Sequence, residues 1–327
     1  MKIGIMGAGN IAGIVAPTLA RLDEIECYAV ASRSLEKAQS FAEKFGFQVA
    51  YGSYEELLLD PEVDLVYVAT PHSHHYDCIM DCLRHGKPVI SEKPFTVNAE
   101  QAREIREYAE EHRIFVAEAI WPRYMPSRRI IRELIDSGEI GNVRALTASP
   151  FYAISHNRRL IDPALAGGAL LDVGIYGINF ALMNFGTDIE RVESSVQLTV
   201  TGVDGMETVT IFFDDGRMAV ISAGIFSESG REGVIYGDKG YITVESIINP
   251  RKVSVYNTDN ELVRTVEIPE QISGYEYEFI ECAEAIRDGR IETRSMPMED
   301  TIFVLELMDE LRRDWGVMYP QELEIII

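Results

Sequence analysis

The chain has 327 residues, 46% hydrophobic and 25% charged, which is the composition of a folded globular protein and not of a disordered one. Its length suits two domains. Thirty basic against 53 acidic residues leave a net charge of −23, a field that repels nucleic acid and anionic membrane surfaces.

No run approaches the ~18 consecutive apolar residues that would span a bilayer. The opening Met-Lys-Ile-Gly-Ile-Met-Gly has none of the features of a secretory leader. Four cysteines, at 27, 78, 82 and 282, form no Cys-x-x-Cys pair. They are expected as core residues of a protein in a reducing, cytoplasmic compartment.

The first 120 residues alternate short apolar runs with helical patterns. Strands are expected at 2–6, 26–31, 63–69, 88–91 and 114–118. Helices are expected at 10–22, 35–44, 73–84 and 99–112, with Pro17 as a local bend. Repeated β-α-β units imply a parallel sheet covered on both faces. The rhythm then changes. One helix is expected at 167–185, and seven strands follow between 192 and 268. Turn chemistry such as Asp204-Gly205 and Asp214-Asp215-Gly216 separates them. Two helices, 275–287 and 298–315, close the chain. The fold class is therefore α/β: a doubly wound parallel sheet over 1–120, then a second domain over 121–327 with a large antiparallel sheet.

Gly7-Ala8-Gly9-Asn10-Ile11-Ala12 follows the first strand and opens the first helix. This is the Gly-x-Gly-x-x-Ala form of the dinucleotide fingerprint. Gly7 permits the turn, Gly9 admits a pyrophosphate, and the helix start at Asn10 and Ile11 offers free N–H groups. The second strand ends Ala31-Ser32-Arg33-Ser34, with no carboxylate to accept from a ribose 2′-OH. Ser32 and Arg33 instead suit a 2′-phosphate, which favours NADP over NAD. Lys93, in Ser91-Glu92-Lys93-Pro94, stands past the end of a parallel strand, where ligands of such sheets bind. Asp172 and Tyr176 are spaced i, i+4 on a helix. A lysine ammonium near Tyr176 would favour its phenolate, so the phenol could pass a proton as a hydride arrives or leaves. A metal reading of His72-Ser73-His74-His75 would need a carboxylate or cysteine partner and an open site, and no metal is expected.

These motifs resemble the Gfo/Idh/MocA oxidoreductase family along essentially the whole chain. The resemblance rests on Gly7–Ala12, Thr70-Pro71-x-x-x-His75, Glu92-Lys93-Pro94 and Gly167–Tyr176. Tyr at 176, where many members have His, points to the dihydrodiol dehydrogenase and NADP-linked D-xylose dehydrogenase branch, as do Ser32-Arg33 and the segment 118–124. The resemblance implies Lys93 and Tyr176 as the catalytic pair, with Asp172 near substrate hydroxyls. It places Thr70, His72, His75 and Glu92 on the cofactor. Trp121, Arg123, Phe151 and Arg159 would line the cofactor and substrate pocket. It also implies a sugar, polyol or diol as substrate, and a homodimer formed through the second sheet. The competing reading is a non-catalytic NADP-binding sensor of the same fold.

Overall fold

The computed structural model describes residues 1–323 and divides into two compact units, Met1–Tyr124 with Gln271–Glu306, and Met125–Glu270 with Leu307 onward.

The first unit is built on β1 (Lys2–Met6), β2 (Glu26–Ala31), β3 (Val49–Tyr51), β4 (Leu65–Val68), β5 (Val89–Glu92) and β6 (Val116–Ala119). All pair in parallel, in the order β3-β2-β1-β4-β5-β6. The central strands are buried along nearly their whole length because both their faces are covered. The crossovers are α1 (Asn10–Leu19), α2 (Leu35–Phe45), α3 (Tyr54–Leu59), α4 (His75–Arg84) and α5 (Ala99–His112). Side-chain caps set several starts: Ser34 on α2, a Ser53–Glu56 capping box on α3 and Asn98 on α5. The order reverses direction between β1 and β4, which opens a crevice beyond their carboxyl ends. Gly7 makes the turn there. Its φ is +110°, and a Cβ on it would stand 2.7 Å from the Ala69 carbonyl oxygen.

The second unit contains α6 (Pro126–Asp136), β7 (Val143–Ala148), the short α7 (Arg158–Ile161) and α8 (Ile175–Phe185). Strands β8 (Ile189–Leu198), β9 (Asp204–Phe213), β10 (Met218–Gly224), β11 (Gly233–Gly237), β12 (Gly240–Val244), β13 (Lys252–Asn257) and β14 (Leu262–Glu267) complete its sheet. The order is β14-β13-β12-β11-β7-β10-β9-β8, antiparallel except for β7 beside β10. Val209, Ile211 and Phe213 point to a buried face, as do Ala219 and Ile221. Thr208, Thr210 and Phe212 alternate with them on the other, half-exposed face. Across that face Thr210 opposes Val220, Val220 opposes Thr147, and Thr147 opposes Val234. Its central strands carry no charged side chain there. The segment Pro163–Phe185 is apolar and long enough to cross a membrane by length and composition, contrary to the run-length reading, but 89% of its apolar window is buried inside the protein.

The helices α9 (Glu276–Arg287) and α10 (Met298–Trp315) follow, with α11 (Pro320–Leu323) last. The sequence boundary at 120 is close to the observed one at Tyr124, but 121–327 is not one domain, because 271–306 returns to the first unit. The reason is apolar cover. Phe279, Cys282, Ala283 and Ala285 of α9 join the core formed by Ile3, Ile5, Leu65 and Tyr67. Phe279 meets the Tyr67 ring edge-on at 5.3 Å. Phe279→Ala is therefore expected to lower unfolding free energy by about 3–5 kcal/mol, read as a lower urea midpoint at an unchanged slope.

Candidate functional site

The cofactor cradle begins where β1 ends. Gly9 caps α1 in an extended conformation, and no side chain bonds the helix start. A Cβ on Gly9 would find only the Ala69 carbonyl oxygen, 3.7 Å away. The face is open, its first N–H groups have no side-chain cap, and the first turn carries no acid. That combination fits an anionic pyrophosphate. Asn10 is exposed and Ile11 half-buried beside it.

At the end of β2, Ser32 is buried and its Oγ accepts from the Ser34 N–H at 3.4 Å. Ser34 is occupied as the cap of α2, accepting from Lys37 N–H. Arg33 is exposed. Its charge reaches His74, Tyr54 and Cys78, and after burial it is the second cause holding His74 below the usual imidazole range.

Past β5, Lys93 is half-buried, and the Lys93–Pro94 peptide bond is cis. Glu92 is turned inward, its Oε1 accepting from the Tyr67 phenol at 2.5 Å. Glu278 lies against this pair with no hydrogen-bond partner for either oxygen among the described residues. Burial, then the Glu92 and Glu276 charges, push its carboxyl well up. Glu118 is buried at the end of β6. Its Oε1 accepts from Phe95 N–H at 3.1 Å and its Oε2 from the Thr301 hydroxyl at 3.0 Å. Burial pushes the Glu118 carboxyl up to about 7, against the pull of those two bonds and of the Arg123 and Lys93 charges.

Several residues expected on the cofactor are turned inward in this structure. His75 is 0% exposed, and its two ring nitrogens lie 2.8 and 2.9 Å from the carbonyl oxygens of Pro94 and Thr70. It lies beneath the site and offers a ligand no surface. Arg123 is likewise inside, its guanidinium bonded to Asp300 at 2.5 Å with 3% of its side chain exposed. That ion pair forms because a buried cation needs a counter-charge. Glu92 follows the same logic. Trp121 is largely covered by its stack on Tyr275, ring centroids 4.3 Å apart. Thr70 is nearly buried, with its hydroxyl directed to Cys78 Sγ at 3.9 Å. His72 is buried edge-on to His75.

In the second unit, Gly167 and Gly168 lead into a π-turn, Leu170–Gly174, that runs into α8. The regular α-helix expected from 167 begins only at Ile175, so Asp172 lies in the wide turn and Tyr176 in the α-helix. Two buried carboxyls sit against this segment. Asp204 accepts from Leu170 N–H at 2.5 Å. A Cβ on Gly168 would come within 2.4 Å of Asp204 Oδ1, and one on Gly174 within 2.5 Å of Glu207 Oε1. Burial, then the Asp204 charge, push the Glu207 carboxyl well up. Neither acid was singled out from sequence. The signal was present in Glu207, which shares strand parity with the inward Val209, Ile211 and Phe213. Asp172 Oδ1 accepts from Arg159 Nη2 at 3.1 Å. Tyr176 is half-buried, as is Phe151, whose N–H donates to Ser229 Oγ.

Comparison with known proteins agrees along the chain. The family profile described as an oxidoreductase family with an NAD-binding Rossmann fold matches residues 1–119. The GFO/IDH/MocA C-terminal domain matches residues 129–243. The mouse trans-1,2-dihydrobenzene-1,2-diol dehydrogenase is 33% identical, over 98% of this chain and 99% of its own. The NADP-dependent D-xylose 1-dehydrogenase of Hypocrea jecorina is 35% identical, over 98% and 93%. A solved 3-ketoreductase from Actinomadura kijaniata, in complex with NADP and TDP-benzene, superposes with a TM-score of 0.89 at 26% identity, over 96% of this chain and 97% of its own. An open glycine turn on a 3-2-1-4-5-6 sheet, joined to a second mixed sheet and matched end to end, places the chain in the Gfo/Idh/MocA family as an NAD(P)-binding oxidoreductase.

Proposed function

We propose that the protein is an NADP-dependent dehydrogenase acting between a carbinol and a carbonyl carbon of a sugar, polyol or dihydrodiol. The observation that carries this reading is the group Arg159–Asp172 with Tyr176. A phenol and an ion-paired carboxylate stand on a segment that is otherwise apolar and buried. The named activities of the dihydrodiol and xylose dehydrogenases support the substrate class.

When bound, the nicotinamide supplies or accepts the hydride. Tyr176 then donates its phenolic proton to the carbonyl oxygen in reduction, or takes it back in oxidation. Lys93 lends positive charge to the developing oxyanion. Asp172, fixed by Arg159, accepts from substrate hydroxyls, and Phe151 offers an apolar wall. A panel of D-xylose, other sugars, inositols and trans-dihydrobenzenediol with NADP, read at the nicotinamide absorbance, is expected to give turnover. Tyr176→Phe and Lys93→Met are each expected to cut it about 10²–10⁴-fold while NADPH affinity holds. A silent panel with tight NADPH binding would favour the sensor reading.

Cofactor choice rests on Arg33. A 2′-phosphate carries nearly two negative charges onto a chain of net charge −23, so it needs a local cation. A hydrogen bond to a charged group contributes about 1.5–3 kcal/mol, and ~1.4 kcal/mol is tenfold in affinity. Arg33→Ala is expected to weaken NADPH about ten- to hundredfold and leave NADH unchanged, as titration would show.

A homodimer through the open face of the second sheet completes the proposal. A face whose central strands carry Thr, Val, Tyr and Met and no charge, on so acidic a chain, is what a self-complementary interface requires. Light scattering is expected to give twice the chain mass of 36.7 kDa. Val220→Arg, at the centre of that face, is expected to return it to a single chain.

A further inference from the structure

The Pro94–Phe95 peptide unit, directly after Lys93, is held from both of its edges. Its carbonyl oxygen is 2.8 Å from His75 Nδ1. Its N–H donates to Glu118 Oε1 at 3.1 Å. Each gripping side chain is anchored again on its far side. His75 Nε2 reaches the Thr70 carbonyl oxygen at 2.9 Å, just past β4. Glu118 Oε2 accepts from the Thr301 hydroxyl at 3.0 Å, in the first turn of α10. The result is one continuous polar line, Thr70–His75–peptide–Glu118–Thr301, through residues that are at most 9% exposed. It ties the carboxyl ends of β4, β5 and β6 together beneath the turn that presents Lys93.

We propose that His75 and Glu118 are positioning residues that aim the Lys93 ammonium by clamping the peptide unit behind it. Neither is a catalytic residue, since neither offers a surface to a ligand. Carbonyl oxygens only accept, so His75 donates from its ring nitrogens, and serving both carbonyls at once takes the imidazolium form. Glu118 keeps its hold in either protonation state. A carboxylate accepts from both donors. A neutral acid still accepts from Phe95 N–H while its hydroxyl turns to Thr301 Oγ1. Buried polar lines of this kind are worth having only when every member is satisfied, and the clamp removes the freedom that would let the lysine wander. A misplacement of about 1 Å at a catalytic group costs about 10²-fold in rate.

The inference rests on Lys93 having the role proposed above, so the test carries one readout that needs no turnover. Reductive methylation with ¹³C-formaldehyde labels the seven lysines, and Lys93→Met identifies the Lys93 resonance. In His75→Ala and Glu118→Ala that resonance is expected to move toward the exposed-lysine position, with the other six unchanged. On a substrate found in the panel, kcat is expected to fall about ten- to hundredfold, with NADPH affinity within about threefold. Glu118→Gln, whose amide accepts from Phe95 N–H and donates to Thr301, is expected to restore both the resonance and kcat. The double alanine variant is expected to lose less than the product of the single losses, because both act through one peptide unit. If an alanine variant does not fold, Thr301→Val loosens Glu118 alone and is expected to move the same resonance. An unmoved Lys93 resonance in the folded variants overturns the clamp, even if the enzyme turns over. A silent panel with a moved resonance overturns the reaction and leaves the clamp standing.

Discussion

A carboxyl group taken out of water must be bonded, be paired with a cation, or give up its charge, and that constraint organises both units of this protein. Glu118 is bonded twice, to Phe95 N–H and the Thr301 hydroxyl. Glu92 takes the Tyr67 phenol, and Asp204 takes the Leu170 N–H. Asp172 is paired with Arg159. Among the described residues Glu207 and Glu278 have no hydrogen-bond partner, and burial pushes their carboxyls well up. An isolated buried charge would cost several kcal/mol or more, so these solutions were not optional. In each case the solution lies beside a segment that bears the proposed chemistry. Burial of acids and presentation of Lys93, Asp172 and Tyr176 are therefore one architectural problem.

The missing side chains matter as much as those present. Gly168 and Gly174 leave the volume that Asp204 and Glu207 occupy. Gly7 lets the end of β1 pass under the Ala69 carbonyl, and Gly9 keeps the mouth of α1 open. A methyl group at any of these points would displace a buried acid, move a strand end or block an anion. Glycine here sets distances between polar groups and backbone, which is a different use from the solvent-exposed turn at Gly46 or Gly86.

Sequence reading recovered what has strong periodicity. β1, β2 and α5 lie where the apolar pattern put them, whereas the alternation of Val196, Leu198 and Val200 does not mark a core face, since Leu198 and Val200 are exposed. It missed β3 and α3, because Val49–Tyr51 and Tyr54–Leu59 are too short to show a period. The fingerprint glycines, Lys93 and Tyr176 stood out as candidates because each sits at a fixed offset from a strand or helix. His75, Glu92 and Arg123, expected on the cofactor, turn inward to protein partners, because sequence spacing shows that a residue is near a segment but not which way it points. His75 is only five residues from Thr70, yet its ring turns under the turn of Pro94 and not out toward a ligand.

The return of 271–306 to the first unit has a consequence for how such a chain can be divided. The strands from Lys2 to Ala119 do not carry their own complete cover, since Phe279, Cys282 and Ala285 supply part of it. A fragment ending near residue 120 would expose the Tyr67 side of its sheet to water and would lose Thr301, the far anchor of Glu118. The nucleotide-binding half is thus discontinuous in the gene while continuous in space. Its modularity is only apparent: recombination could not lift it out by a single crossover, and a graft onto another second domain would have to carry two pieces of chain.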